Sequence, residues 1–200
     1  MVRNDQGGSG AGLSIFALII GLLMMAGAAG AYFLGPRFLG GGGEELPPVT
    51  LTTPEKIGGL TLSQEPQLVE QSNAMKAAIA ADAPDATSTM GAVYTDELSA
   101  SKFVIVAAAA VPIDDTGAER TAIFEAQKDA SIKLEADVDV DPAASKGGSA
   151  GCAKGTASDV PLVVCVWTDP GSVGIIYFFD RTIEDSSTIF PQVKAAILAA

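Results

Sequence analysis

The chain has 200 residues, with 12 Lys and Arg against 24 Asp and Glu, and no histidine. Its net charge of −12 repels phosphate backbones and argues against nucleic acid as a partner. Without histidine, Ser-His-Asp and Cys-His catalysis, the His-Glu-x-x-His zinc site and any histidine pH switch are removed. The two cysteines are too few for a four-ligand structural zinc site of the usual nitrogen and sulfur donors. No catalytic, metal-binding or cofactor-binding residue is assigned.

Residues 1–12 are predicted to be a short cytoplasmic tail, 13–35 a transmembrane helix, 36–49 a Gly/Pro-rich linker and 50–200 an extracytoplasmic domain. Leu13 to Leu34 is a stretch of 22 residues without a charge. At roughly 1.5 Å per residue this reaches across the hydrocarbon layer. The competing reading is a cleaved signal peptide, for which Ala26-Gly27-Ala28 and Ala29-Gly30-Ala31 offer small-residue sites. Apolar sequence continues past both through Tyr32, Phe33 and Leu34, and the leading segment has Arg3 offset by Asp5, which favours an uncleaved anchor. Flanking Lys and Arg are nearly balanced, so the positive-inside rule scarcely votes. The orientation, with the N-terminus cytoplasmic, rests on the acidic domain that follows and on its cysteine pair. Gly27, Ala31 and Gly35 form a small-residue stripe that would permit a weak homodimer, although alanine and glycine abound throughout the chain.

Gly40 to Gly43, Glu44, Glu45 and Pro47-Pro48 read as a flexible, then stiffened, tether to the domain. Ile57-Gly-Gly-Leu-Thr-Leu62 predicts a turn into a short strand. Pro66 suits a first helical turn, and Leu68, Ser72, Met75 and Ile79 predict a helix over 65–81. Thr87 to Thr95 and the wholly apolar run from Lys102 to Val111 predict an antiparallel hairpin around Asp96 to Ser99, its second strand buried on both faces. Thr116-Gly-Ala-Glu119 has capping-box spacing and predicts a helix to about Ala130, with Ala118, Ala122, Ile123 and Ala126 inward. The alternating Asp137, Asp139 and Asp141 invite comparison with a calcium loop. Pro142 and Gly148 occupy the positions where an EF-hand needs Gly and Glu, so a strand is expected with its aspartates in water and Val138 and Val140 inward.

Cys152 and Cys165 flank a segment whose midpoint falls between Ser158 and Asp159, a turn-like centre. Such register brings the two cysteines face to face across a hairpin, and a disulfide there would close its loop in an oxidising compartment. Free thiols or a redox pair are the alternatives, although the spacing is long and Lys154 is the one nearby cation. Leu162 to Trp167 and Val173 to Phe179 predict buried strands joined at Asp169-Pro-Gly-Ser172. Trp167 shares a strand face with Cys165 and is expected to pack over the bridge; its alternative use is as an aromatic ligand platform. Asp185 or Ser186 is expected to cap a last helix with Pro191 in its first turn and Ile189, Val193 and Ile197 on one stripe.

This order predicts an α+β domain whose antiparallel sheet is covered by helices, preceded by one transmembrane helix. The Thr53-Pro54 and Ile57-Gly-Gly-Leu60 opening and the Cys165-x-Trp167 strand, behind an anchor and tether, resemble membrane-anchored extracytoplasmic domains of actinobacteria. That resemblance implies a cell-envelope location and carries no activity. The expected function is a non-catalytic module that binds an envelope protein, a lipid or a wall component. One alternative is a cofactor-independent hydrolase or transferase using carboxylates or a Ser-Lys pair, which would need a cleft that pairs those groups. The other is a structural or regulatory subunit assembled through the membrane helix.

Overall fold

The computed structural model describes residues 49–99, 101–129, 132–140 and 147–198. The expected anchor at 13–35, its Gly27, Ala31 and Gly35 stripe, and Asp141 lie outside these residues. Among the described residues no helix is long and apolar enough to cross a membrane.

The fold is α+β. Among the described residues nine strands form one antiparallel sheet: β1 (Lys56–Ile57), β2 (Leu60–Leu62), β3 (Ser88–Asp96), β4 (Phe103–Ala110), β5 (Ile132–Leu134), β6 (Val138–Asp139), β7 (Ser149–Ala157), β8 (Val160–Asp169) and β9 (Ser172–Phe179). Their spatial order is β1-β2-β3-β4-β9-β8-β7-β5, with β6 following β5 along the outer side of β7. The helices among the described residues are α1 (Pro66–Asp82), α2 (Thr116–Asp129) and α3 (Ile183–Ile197).

Every residue of β4 and β9 is buried, which explains why these strands read as unbroken apolar runs. On one face, Leu68 and Ile79 of α1 and Ile123 and Phe124 of α2 join Val93, Ile105, Ile175 and Phe179. On the other, Phe190, Val193 and Ile197 of α3 join Met90, Val106, Ile176 and Phe178. The result is three layers, helix pair, sheet and single helix.

The predicted hairpin over 87–111 is present as β3 and β4, and the helix predicted over 65–81 is α1. Local details differ. The cap of α2 is Asp115, whose Oδ1 accepts from the Ala118 N–H at 2.9 Å, so the cap lies one residue before Thr116. Its inward face consists of Ile123, Phe124, Ala126 and Gln127, while Ala118 is exposed. The cap of α3 is Thr182, which accepts from the Asp185 N–H at 3.1 Å, and this earlier start places Pro191 inside the helix. In β6, Val138 is exposed where an inward side chain was expected. Arg120 of α2 reaches Asp139 at 2.7 Å and Asp137 at 3.3 Å, and both aspartates serve this guanidinium.

The β7–β8 hairpin turns through Ser158 and Asp159, at φ 49° and 65°. These values suit a two-residue primed turn, which fixes the register of both strands. Cys152 then lies directly opposite Cys165 with 4.1 Å between Cα atoms, and the two form a disulfide without solvent exposure.

Trp167, on the same face, is also fully buried. Its Nε1–H donates to Ser172 Oγ at 3.3 Å, and Phe190 of α3 lies 6.2 Å away between ring centroids. The indole lies across Gly174, its partner on β9, where an added Cβ would sit 2.0 Å from Cη2. With no exposed area the ring is a core element and offers no platform to a ligand from solution. Gly174→Ala is therefore expected to force the indole from its seat and to destabilise the fold by about 2–3 kcal/mol. Urea unfolding followed by tryptophan fluorescence checks this; an unchanged midpoint would refute the packing.

Candidate functional site

Strand alternation and register build the site. Lys133 of β5 is paired with Thr156 of β7, and Thr156 with Pro161 of β8. In the next row the Glu135 N–H donates to the Lys154 carbonyl at 2.8 Å, and Lys154 is paired with Val163. Residues two apart share a face. Lys133, Glu135, Lys154, Thr156, Pro161 and Val163 therefore all project toward the α3 side of the sheet. Here the sheet extends beyond the helix, and Arg181, Thr182, Ile183 and Glu184 make the opposite wall. The space between is an open groove of about 550 Å³.

Close approach of β5 to β7 depends on Gly155. A Cβ at that position would meet the Lys133 carbonyl oxygen and Leu134 Cδ2, each at 2.7 Å. The side chain of Arg181 is nearly enclosed and committed to Asp96, the last residue of β3. Burial alone would raise the Asp96 carboxyl, but bonds from the Leu98 N–H and Arg181, with the charge of Lys102, bring it below the usual range. The Arg181 Nε has no acceptor among the described residues. Glu184 accepts from its own N–H and from the Thr182 hydroxyl, and with Lys154 nearby its carboxyl is lowered and stays charged. Lys133 forms no ion pair among the described residues.

The opposite half of α3 is fixed by a second buried contact. Lys194 Nζ lies 2.8 and 3.0 Å from the two carboxylate oxygens of Asp169, at the end of β8. Burial raises the Asp169 carboxyl and lowers the Lys194 ammonium, each partly opposed by the other's charge.

Two spacings used by serine hydrolases occur in the sequence, Gly147-Gly-Ser149-Ala-Gly151 and Ser99-x-x-Lys102. A nucleophile elbow needs its serine in a strand-to-helix turn, whereas Ser149 begins strand β7. Ser99 lies in the β3–β4 turn, its hydroxyl 3.1 Å from that of Ser101, which donates to Asp180. Among the described residues neither serine hydroxyl is hydrogen-bonded directly to a carboxylate or an amine. Among the described residues no three His, Cys, Asp or Glu side chains converge as a metal site.

Of the residues singled out in the sequence, Cys152 and Cys165 are brought together, while Trp167 is enclosed with them in the core. The groove residues come from four separated segments, and no motif announces them. Strand register alone unites them. No known protein family matches the chain, and no characterised protein is detectably similar to it in sequence.

The Asp169–Lys194 pair generates a pH prediction. Lys194→Met leaves a buried carboxylate unpaired and is expected to cost about 3 kcal/mol at pH 7. The folded state holds the Asp169 proton more tightly than the unfolded chain does, because burial raises its carboxyl. Stability of Lys194→Met should therefore fall as pH rises through the carboxylate range, making the loss smaller at pH 4 than at pH 7. The double substitution Asp169→Asn with Lys194→Met should recover most of it. Urea midpoints at both pH values check the prediction, and equal losses would count against it.

Proposed function

We propose that the chain is a single-pass membrane protein of the cell envelope, with its α+β domain held outside the cytoplasm as a non-catalytic binding module. The groove between the first turn of α3 and the β5–β7–β8 corner is its recognition surface. One observation carries this reading: charged side chains of both signs line an open concavity together with Pro161 and Ile183. A mixed lining of this kind suits orientation of a ligand.

The extracytoplasmic location is supported by the Cys152–Cys165 disulfide, since such bridges persist in oxidising compartments. The anchor is supported by the uncharged stretch from Leu13 to Leu34. The Thr53-Pro54, Ile57-Gly-Gly-Leu60 and Cys165-x-Trp167 resemblance supports an actinobacterial envelope setting.

Protease added to intact cells carrying a C-terminally tagged chain tests the topology. The tag should be removed without breaching the membrane, and protection of the tag until lysis rejects the proposed orientation. Full-length protein in mild detergent, incubated with solubilised envelope material, tests recognition. Retained material should be lost on combining Lys133→Glu with Lys154→Glu, while urea stability should change by less than about 0.5 kcal/mol, as for exposed substitutions. Undiminished retention by the double variant would exclude the groove as the recognition surface.

A further inference from the structure

The groove is electrically polar. Its outer row holds Lys133, which has no partner carboxylate among the described residues, beside the neutral Thr156 and Pro161. Its inner row holds Lys154 with two carboxylates, Glu135 in register with it and Glu184 across the groove. Arg181, on the same wall as Glu184, is neutralised by Asp96. One end is thus positive and the other net negative. The rows are two residues apart along a strand, a rise of roughly 6.5–7 Å. Two residues of extended peptide span about the same length between amine and carboxylate. Between the poles the surface carries Pro161 and Ile183, above the buried Val163, suited to small apolar side chains.

Other ligand chemistries fit less well. A polyanion, whether phosphate polymer or anionic headgroup, would meet Glu135 and Glu184 on a domain that is strongly acidic overall. A single acyl chain would gain from deep apolar enclosure, whereas this groove is open and charged along its rim.

The position of the groove supplies an independent constraint. The start of the domain is fastened to the far end of α3: the Thr52 N–H donates to the Ile197 carbonyl at 2.9 Å, and the Thr52 hydroxyl reaches the Ala196 carbonyl at 3.1 Å. The groove adjoins the opposite end, at Thr182 to Glu184. A helix with the 15 residues of α3 is roughly 22 Å long, so groove and tether attachment lie about that far apart.

We infer that the groove binds a short zwitterionic peptide, its amine toward Glu135 and Glu184 and its carboxylate toward Lys133, taken from the side of the domain away from the bilayer. This rests on the proposed anchoring and deepens the proposed recognition surface.

The ligand is tested by titrating isotope-labelled full-length protein in detergent micelles with Ala-Ala bearing free termini. Amide shifts are expected at 133–135, 154–156 and 182–184. They should weaken by about tenfold in affinity with Lys133→Glu, a loss equal to one factor of ten in the binding constant. N-acetyl-Ala-Ala-amide should fail to reproduce them. Absence of shifts at the solubility limit of Ala-Ala, or equal binding of the blocked dipeptide or of inorganic phosphate, overturns the assignment. The direction is tested with full-length protein in phosphatidylcholine vesicles carrying a lipid-borne quencher, with a fluorophore on Thr50→Cys or Asp185→Cys. Strong quenching at 50 and weak quenching at 185 is expected. Equal quenching at both overturns the membrane-distal placement while leaving the anchor standing. No quenching at either removes the anchor, and with it the bilayer reference, independently of the dipeptide result.

Discussion

The constraint behind this architecture is that β4 and β9 are buried on both faces along their whole length. Strands without a polar face cannot border water, so the sheet requires a cover on each side. The pair α1 and α2 serves one face and α3 serves the other. A cover made of one helix is narrower than the sheet beneath it. The β5–β7–β8 corner therefore projects past α3, and its side chains on that face are charged or small rather than uniformly apolar. The groove is a geometric remainder of the same mismatch that gives the core its two halves.

Polar contacts hold the covers in place at a few points. Arg120 fastens α2 to the β6 edge through Asp137, Asp139 and the Ala150 carbonyl. Arg181 ties the segment leading into α3 to the end of β3, and Lys194 ties the later part of α3 to the end of β8. Within the core, the Tyr177 hydroxyl donates to Gln127 Oε1 at 2.7 Å, linking β9 to α2, and the Tyr94 hydroxyl donates to the Pro54 carbonyl at 3.1 Å. Burial pushes the Tyr94 phenol up to about 12, which keeps this donor protonated across the physiological range. Such bonds add direction to a packing force that has none.

Much of the fold was legible in the sequence because period and punctuation agreed. The run at 103–110 has no polar interruption, and the centre between Cys152 and Cys165 coincides with residues that accept a left-handed backbone. Helix starts were less legible, since several residues near each boundary could cap. Asp115 outcompetes Thr116, and Thr182 outcompetes Asp185 and Ser186, through geometry that spacing alone does not reveal. Val138 defied its alternation because β6 is a two-residue edge strand, with Arg120 engaging the aspartates around it. The groove was not legible at all. Lys133, Lys154 and Glu184 belong to different elements, and sheet order, which sequence patterns do not encode, decides that they meet.

The Thr52–Ile197 contact also determines how the domain bears mechanical load. A pull on the chain at Val49 is delivered first to the last turn of α3 and then to β1 and β2, which contribute two and three residues to the sheet. The long β7–β8 ladder with its disulfide lies across β4 and β9 from that corner. Under tension the domain should therefore yield in stages, peeling from the side of β1 while the covalently closed hairpin remains intact.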